Sequence, residues 1–206
     1  MNTTWTQLPD KKIIDTVLTS LSENGFNPIF AETIEEAKEK ALSLIPKGAE
    51  VMTMTSETLR TIGLDSILNE SGDYDSVRAK LVKMDRTTQG NEMRKLGSAP
   101  DYAIGSVHAV TQDGHVLIAS RTGSQLPAYV YGAGKVIWVV GTQKIVKDIE
   151  EGKKRIFQHT LPLESERANK AYHMTSGSQV DKLLTYYKEV NPTRITLILV
   201  NQPLGF

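Results

Sequence analysis

Apolar positions along the chain switch repeatedly between a spacing of three to four residues and a spacing of two, and the switches lay out an alternating α/β order. From Pro9 to Asn24, Ile13, Ile14, Val17, Leu18 and Leu21 recur at helical spacing, and Gly25 stops the run. FNPIFAE reads as a short strand, and Pro28 marks it as an edge because proline cannot donate to a ladder. Thr33 is placed to cap the next helix, with Glu36 three residues on completing a capping box before AKEKALSLI. Pro46-Lys47-Gly48 ends that helix. AEVMTMT is the next strand, and it runs into the polar turn Thr55-Ser56-Glu57-Thr58 and the helical pattern LRTIGLDSILNE.

Residues 71 to 98 are less periodic. SGDYDSVRAKLV suits helix or loop, and the polar run after it reads as part of a solvated helix pair bridging two parts of a sheet. DYAIGSVHAVTQDGHVLIAS then predicts a hairpin, because Asp113-Gly114 separates two apolar alternations. The apolar segment Leu126 to Ala133 predicts a short helix stopped at Gly134. VIWVVG is a continuous apolar, β-branched run, the pattern of a strand buried on both faces. Beyond it KIVKDIEEGKKRIFQHTL and PLESERANKAYHM both read as helices, the second capped by Ser176-Gly177. SQVDKLLTYYKEV reads as a last helix, and RITLILV as a last strand. The alternation predicts a three-layer α/β fold over residues 1–206: a mainly parallel, doubly wound sheet with an inserted antiparallel hairpin.

Composition narrows the functional classes. The 24 Lys and Arg balance the 24 Asp and Glu, so no long-range positive field points to nucleic acid. No run of 18 apolar residues suggests a membrane span, and the first residues lack the pattern of a secretion signal. A cytoplasmic protein is the expectation. With no cysteine, thiolate catalysis and cysteine-held iron–sulfur clusters are excluded for this chain. The four histidines are scattered without metal-ligand spacing, so no metal site is expected, and no motif names a cofactor.

The candidate chemistry sits where strands run into polar turns that open helices. In an open α/β sheet, ligands collect outside the carboxyl ends of the strands, and helix starts there attract anions. Arg121-Thr122-Gly123-Ser124-Gln125 follows HVLIAS, with an arginine fork, two hydroxyls and a glycine that lets a ligand approach the backbone. Thr55 and Ser56 follow VMTM; Thr142, Gln143 and Lys144 follow WVVG, with Lys144 available to neutralise an anion. His108 on SVHAV is a candidate general acid or base. Each has a plainer reading: helix caps for the hydroxyls, a solvated lysine, a hydrogen-bonded structural histidine. Glu164 and Arg167 are spaced for an ordinary i, i+3 ion pair.

The run GSVHAVTQDGHVLIASRTGSQLPAYVYGAGKVIWVVGTQKIV, together with LPLESERANKAY, LILVNQPLGF and the earlier VMTMTSETLRTIGL, resembles the lactate-utilisation (LUD) domain family. That family is similar to the sugar-phosphate isomerase and CoA-transferase-like folds, whose members bind phosphate, carboxylate or CoA groups at strand ends. The resemblance implies binding of a small anionic metabolite in the utilisation of lactate or a similar 2-hydroxy acid. It also implies Glu57 as a carboxylate nucleophile or base, a role that a helix-start acid favoured by the dipole rivals. Partner subunits in that pathway carry iron–sulfur clusters, so an assembly or sensing module that docks on such an oxidoreductase is the alternative.

Overall fold

The computed structural model describes residues 3–172 and 177–206. The first half follows local rules closely. Asp10 caps α1 (Lys11–Glu23) by accepting from the Ile13 N–H, and the helix turns Ile14, Val17 and Leu21 inward. An edge strand, β1 (Asn27–Ala31), precedes α2 (Ile34–Ser43), which Thr33 caps through the Glu36 N–H. The return arm of that box closes one residue early, the Glu36 carboxylate accepting from the Glu32 N–H at 2.8 Å. After β2 (Glu50–Thr53), Ser56 caps α3 (Glu57–Thr61), and Gly63 at φ 72° separates it from α4 (Leu64–Glu70). The single helical pattern read over LRTIGLDSILNE is therefore two short helices. A two-residue strand, β3 (Asp75–Ser76), leads into the helix pair α5 (Val77–Val82) and α6 (Gly90–Ser98).

Next come β4 (Tyr102–Gly105), β5 (Ala109–Thr111), β6 (Val116–Ser120) and β7 (Lys135–Gly141). β8 (Ile145–Val146), α7 (Ile149–Arg155), α8 (Leu161–Tyr172), β9 (Lys182–Tyr186) and β10 (Ile195–Val200) complete the described elements. Six strands form one all-parallel sheet in the order β1-β10-β7-β4-β2-β3. Its interior strand β7 is buried along VIWVVG, as the unbroken apolar run requires. Alternate residues feed two cores. Val136, Trp138 and Val140 face one that also holds Val17 and Leu21 of α1 and Val77 of α5. Ile137 and Val139 face the other, against Ala37 and Ala41 of α2, Leu59 of α3 and Leu68 of α4. Helices thus cover both faces, the doubly wound arrangement.

The hairpin lies elsewhere. β5 and β6 pair antiparallel around Asp113-Gly114, but they belong to a second sheet of order β8-β5-β6-β9. HVLIAS is therefore not a strand of the parallel sheet. β4 already has parallel neighbours on both sides, so the chain must leave the main sheet after Gly105 before it can pair with itself. Val110, Val116 and Ile118 of this small sheet pack on the first core, while Ala109, Leu117 and Ala119 face a third core with Trp5 and Ile156. Both of its faces are covered, which is why all five residues of β6 are buried.

Two further expectations fail for a shared reason. SQVDKLLTYYKEV is strand rather than helix: β9 pairs antiparallel with every residue of β6, from Val116↔Tyr186 to Ser120↔Lys182. Val180, Leu183 and Leu184 imitate helical spacing, but the open edge of β6 needs a partner and tertiary pairing overrides the local pattern. Ile145–Val146 likewise pairs with β5 instead of opening a helix, so α7 begins at Ile149. The expected short helix of Leu126 to Ala133 is present over 126–132 and widens at Ala128–Gly132, with Ala133 N–H donating to Ala128 O five residues back. Ser176, expected as a cap, lies outside the described residues.

An aromatic group welds the two sheets. Trp138 of β7 meets Tyr129 at 5.4 Å, Tyr186 of β9 at 5.6 Å and Phe26 at 6.1 Å between ring centres. Tyr129 leaves no room at the end of β4, where a β-carbon on Gly105 would overlap its hydroxyl and press on Met54. Gly105→Ala is expected to destabilise the fold by about 1–3 kcal/mol, the scale of core overpacking. Urea unfolding monitored by tryptophan fluorescence tests this, and an unchanged midpoint would show that the aromatic group is soft.

Candidate functional site

The order of strands places a switch point between β2 and β4. The chain leaves β2 toward β3 and leaves β4 in the other direction, toward β7. At such a point the connections diverge, and open α/β sheets place their ligand crevice beyond the carboxyl ends of the two strands. Residues 54–58 form one lip and Ser106 to His108 the other.

Lys144 reaches into that position from the short turn Thr142–Lys144 after β7. Its ammonium donates at 3.2 Å to each of three oxygens: Thr58 Oγ1, Ser106 Oγ and the Val107 carbonyl. The side chain is buried, and no acid among the described residues pairs with it. Burial holds its pKa well below the ordinary lysine value, and the Arg155 charge pushes the same way.

Residues 202–205 pack against the same position. Leu204 is buried against the second core, and its carbonyl accepts from Gln143 Nε2 at 2.9 Å and Thr58 Oγ1 at 3.3 Å. The segment comes so close to β7 that a side chain at Gly141 would collide with Gln202 O and Leu204 N. Two buried polar atoms here have no partner, Thr142 Oγ1 and Gln143 Oε1.

A second cation lies one residue further along the same lip. Arg155, the last residue of α7, is fully buried and donates through Nη1 to the His108 carbonyl at 2.5 Å and to Thr160 Oγ1 at 3.0 Å. Burial lowers its pKa to about 10. Lys144 and Arg155 therefore hold the carbonyls of consecutive residues, Val107 and His108. The His108 ring accepts from the Ala119 N–H through Nδ1 at 3.1 Å, which fixes the neutral tautomer with its proton on Nε2. Burial first, then Lys144 and Arg155, push its pKa down to about 3. At neutral pH the ring is uncharged, and only Nε2 is free for chemistry.

The remaining candidates fall into two groups. Glu57 opens α3 beside Thr58, its carboxylate paired with Arg60 and 3.6 Å from Arg167 Nε. Arg167 in turn grips Glu164 through Nε at 2.7 Å and Nη2 at 2.6 Å, so α8 is tied to the lip of the crevice. Ser56 caps α3 through the Leu59 N–H, and Thr55 Oγ1 accepts from Arg78. The turn after β6 stands apart, because β6 belongs to the second sheet. Arg121 is exposed, with its carbonyl accepting from Lys182. Ser120 Oγ accepts from the Gly123 N–H and donates to Gln125 Oε1, while Thr122 and Ser124 bond to each other. The structure thus gathers Thr142, Gln143 and Lys144 with the start of α3, and leaves 121–125 as a turn bonded within itself.

A model of the LUD domain matches residues 14–200, nearly the whole chain. The chain belongs to the LUD domain family. This LUD domain superposes on the crystal structure of a DUF162 family protein from Deinococcus radiodurans with a TM-score of 0.57 and 12% identity, covering 95% of this chain and 100% of that one. It is also similar to eIF2B beta from Chaetomium thermophilum, with a TM-score of 0.36 and 12% identity over 67% of this chain and 48% of that one. No curated protein matches the sequence.

Thr58, Ser106 and Arg155 of this LUD domain were not among the residues singled out from sequence. Ser106 follows a strand end, Tyr102–Gly105, that reads as one arm of the hairpin and so gives no turn signal. Arg155 does carry a signal: Ile149, Gly152, Arg155, Ile156 and His159 share one helical face, which puts a charge among apolar neighbours.

The His108 shift has a measurable consequence. Its folded pKa lies below the unfolded value of 6.5, so the unfolded chain binds the extra proton first as pH falls. The stability it contributes is complete above pH 6.5 and is lost as pH drops toward 3. Between pH 7 and 5 the LUD domain should lose about 1–2 kcal/mol more than its His108→Gln variant, given about 1.4 kcal/mol per pH unit per group. Equal losses in urea titrations at the two pH values would show that His108 is not the group responsible.

Proposed function

We propose that this LUD domain binds a small anionic metabolite at the switch point between β2 and β4, with Lys144 as the cation that receives it. The observation that carries the reading is a buried lysine held by three neutral oxygens, with no acid among the described residues paired to it. Burial disfavours the charged form of Lys144, and a bound anion would restore it. The resemblance to lactate-utilisation proteins makes a 2-hydroxy acid or its 2-oxo counterpart the first class to test, with phosphate and CoA compounds next. Val107 and Thr58 are contacts of Lys144, and the residues next to them in the chain, His108 and Glu57, would be the groups to move a proton. The Arg121–Gln125 turn would have to act from the second sheet. The contacts of Leu204 with Gln143 and Thr58 favour a second reading, a sensing or assembly subunit that docks on an iron–sulfur partner and releases that segment to do so.

A thermal-shift screen with lactate, pyruvate, sugar phosphates, CoA and folates tests the proposal. A true ligand at 100 times its dissociation constant adds about 2.7 kcal/mol. Lys144→Met should behave differently in its two readouts. Replacing a lysine whose charged form burial disfavours by an apolar chain of similar length should leave the free protein about as stable. The same change should weaken the screened ligand at least about tenfold, the loss of one hydrogen bond to a charged group. A destabilised variant with unchanged affinity would make Lys144 a structural residue.

A further inference from the structure

Arg155 holds a second, independent clue. Three other arginines in this fold use the same pair of atoms, Nε and Nη2, as a fork. Arg167 closes it on Glu164, Arg194 on Glu189 at 3.0 and 2.8 Å, and Arg78 on the Thr53 carbonyl at 3.1 and 2.7 Å. In Arg155 only Nη1 is used, and Nε and Nη2 are buried with no partner. A planar fork of this kind matches two oxygens of a carboxylate or phosphate.

The neighbours of that fork are unpartnered in the same way. Residues 156–160 form a π-turn between α7 and α8, a wide turn that brings Thr160 onto Nη1 of Arg155 and sets His159 next to it. Nδ1 of His159 is buried without a partner, and so is Nε1 of Trp5, whose ring lies 6.1 Å from the His159 ring. All three side chains are at most 5% exposed. Unpartnered buried polar atoms are uncommon, and four belonging to adjacent side chains call for a common cause. Among the described residues, none of the ion pairs includes Arg155, so none of their acids accounts for it.

We infer that Arg155, His159 and Trp5 form an oxyanion site in which a phosphate or carboxylate group closes the Arg155 fork and accepts from the Trp5 indole. The site stands apart from the Lys144 proposal: its atoms lie on the α7–α8 side of the His108 carbonyl, and it holds whether or not Lys144 binds a ligand. Of the three side chains only Trp5 comes from outside the helix, on the four-residue turn Thr3–Thr6, so occupancy is read at its indole.

The experiment titrates inorganic phosphate, and separately acetate, into the full chain, followed by calorimetry and by the two indole N–H signals in a ¹⁵N-correlated NMR spectrum. Trp5→Phe assigns the signals. The expected result is saturable binding that moves the Trp5 indole and leaves the core Trp138 indole in place; the tighter of the two anions names the group. Arg155→Lys keeps the charge but removes the fork and should weaken binding about tenfold or more. His159→Phe keeps the ring against Trp5, should weaken binding too, and serves if the arginine variant does not fold. Lys144→Met should retain the Trp5 response. No response to either anion overturns the proposal, as does binding that survives Arg155→Lys and His159→Phe but vanishes in Lys144→Met.

Discussion

Two cations buried without an acid set the terms for this molecule. Lys144 and Arg155 hold neighbouring carbonyls on the segment that leaves β4, and neither meets a carboxylate among the described residues. Each isolated charge costs several kcal/mol once taken out of water. Three apolar cores, the first of them holding Trp138 with its aromatic neighbours, offset that cost and keep the cations in place. The polar surroundings supply only neutral oxygens: two hydroxyls and a carbonyl for the lysine, a carbonyl and a hydroxyl for the arginine. Among the described residues no acid stands in for a ligand at either cation.

Much of the architecture is legible in the sequence, and the reason is that the main sheet obeys local rules. VIWVVG announces a doubly covered strand, Pro28 an edge, and Thr33 with Glu36 a helix start. The second sheet is less legible because its strands are short and its edges are filled by distant segments. KLLTY carries apolar spacing that suits a helix, and only the presence of β6 makes it a strand. A hairpin signal at Asp113-Gly114 tells which strands pair with each other; it does not tell which sheet receives them.

The site was legible in part for the same reason. Lys144 and Gln143 follow the central strand, so the rule that ligands gather at strand ends finds them. Arg121 also follows a strand, but β6 ends in the other sheet, and the rule speaks only for strands that share an edge. Ser106 and Thr58 join Lys144 through contacts between residues 38 and 86 positions apart, which no local pattern records.

The π-turn at 156–160 also sets a phase. It adds one residue to what would otherwise be a continuous α-helix, so every side chain of α8 is rotated by about 100° relative to the frame of α7. That offset lets α7 aim Arg155 at the His108 carbonyl while α8 aims Arg167 at Glu57. Removing a single residue within the turn would return the helix to a regular ladder and leave only one of those two arginines correctly aimed. The two lips of the crevice are thus kept in register by the length of one turn, and homologous chains that differ in length there would not share both contacts.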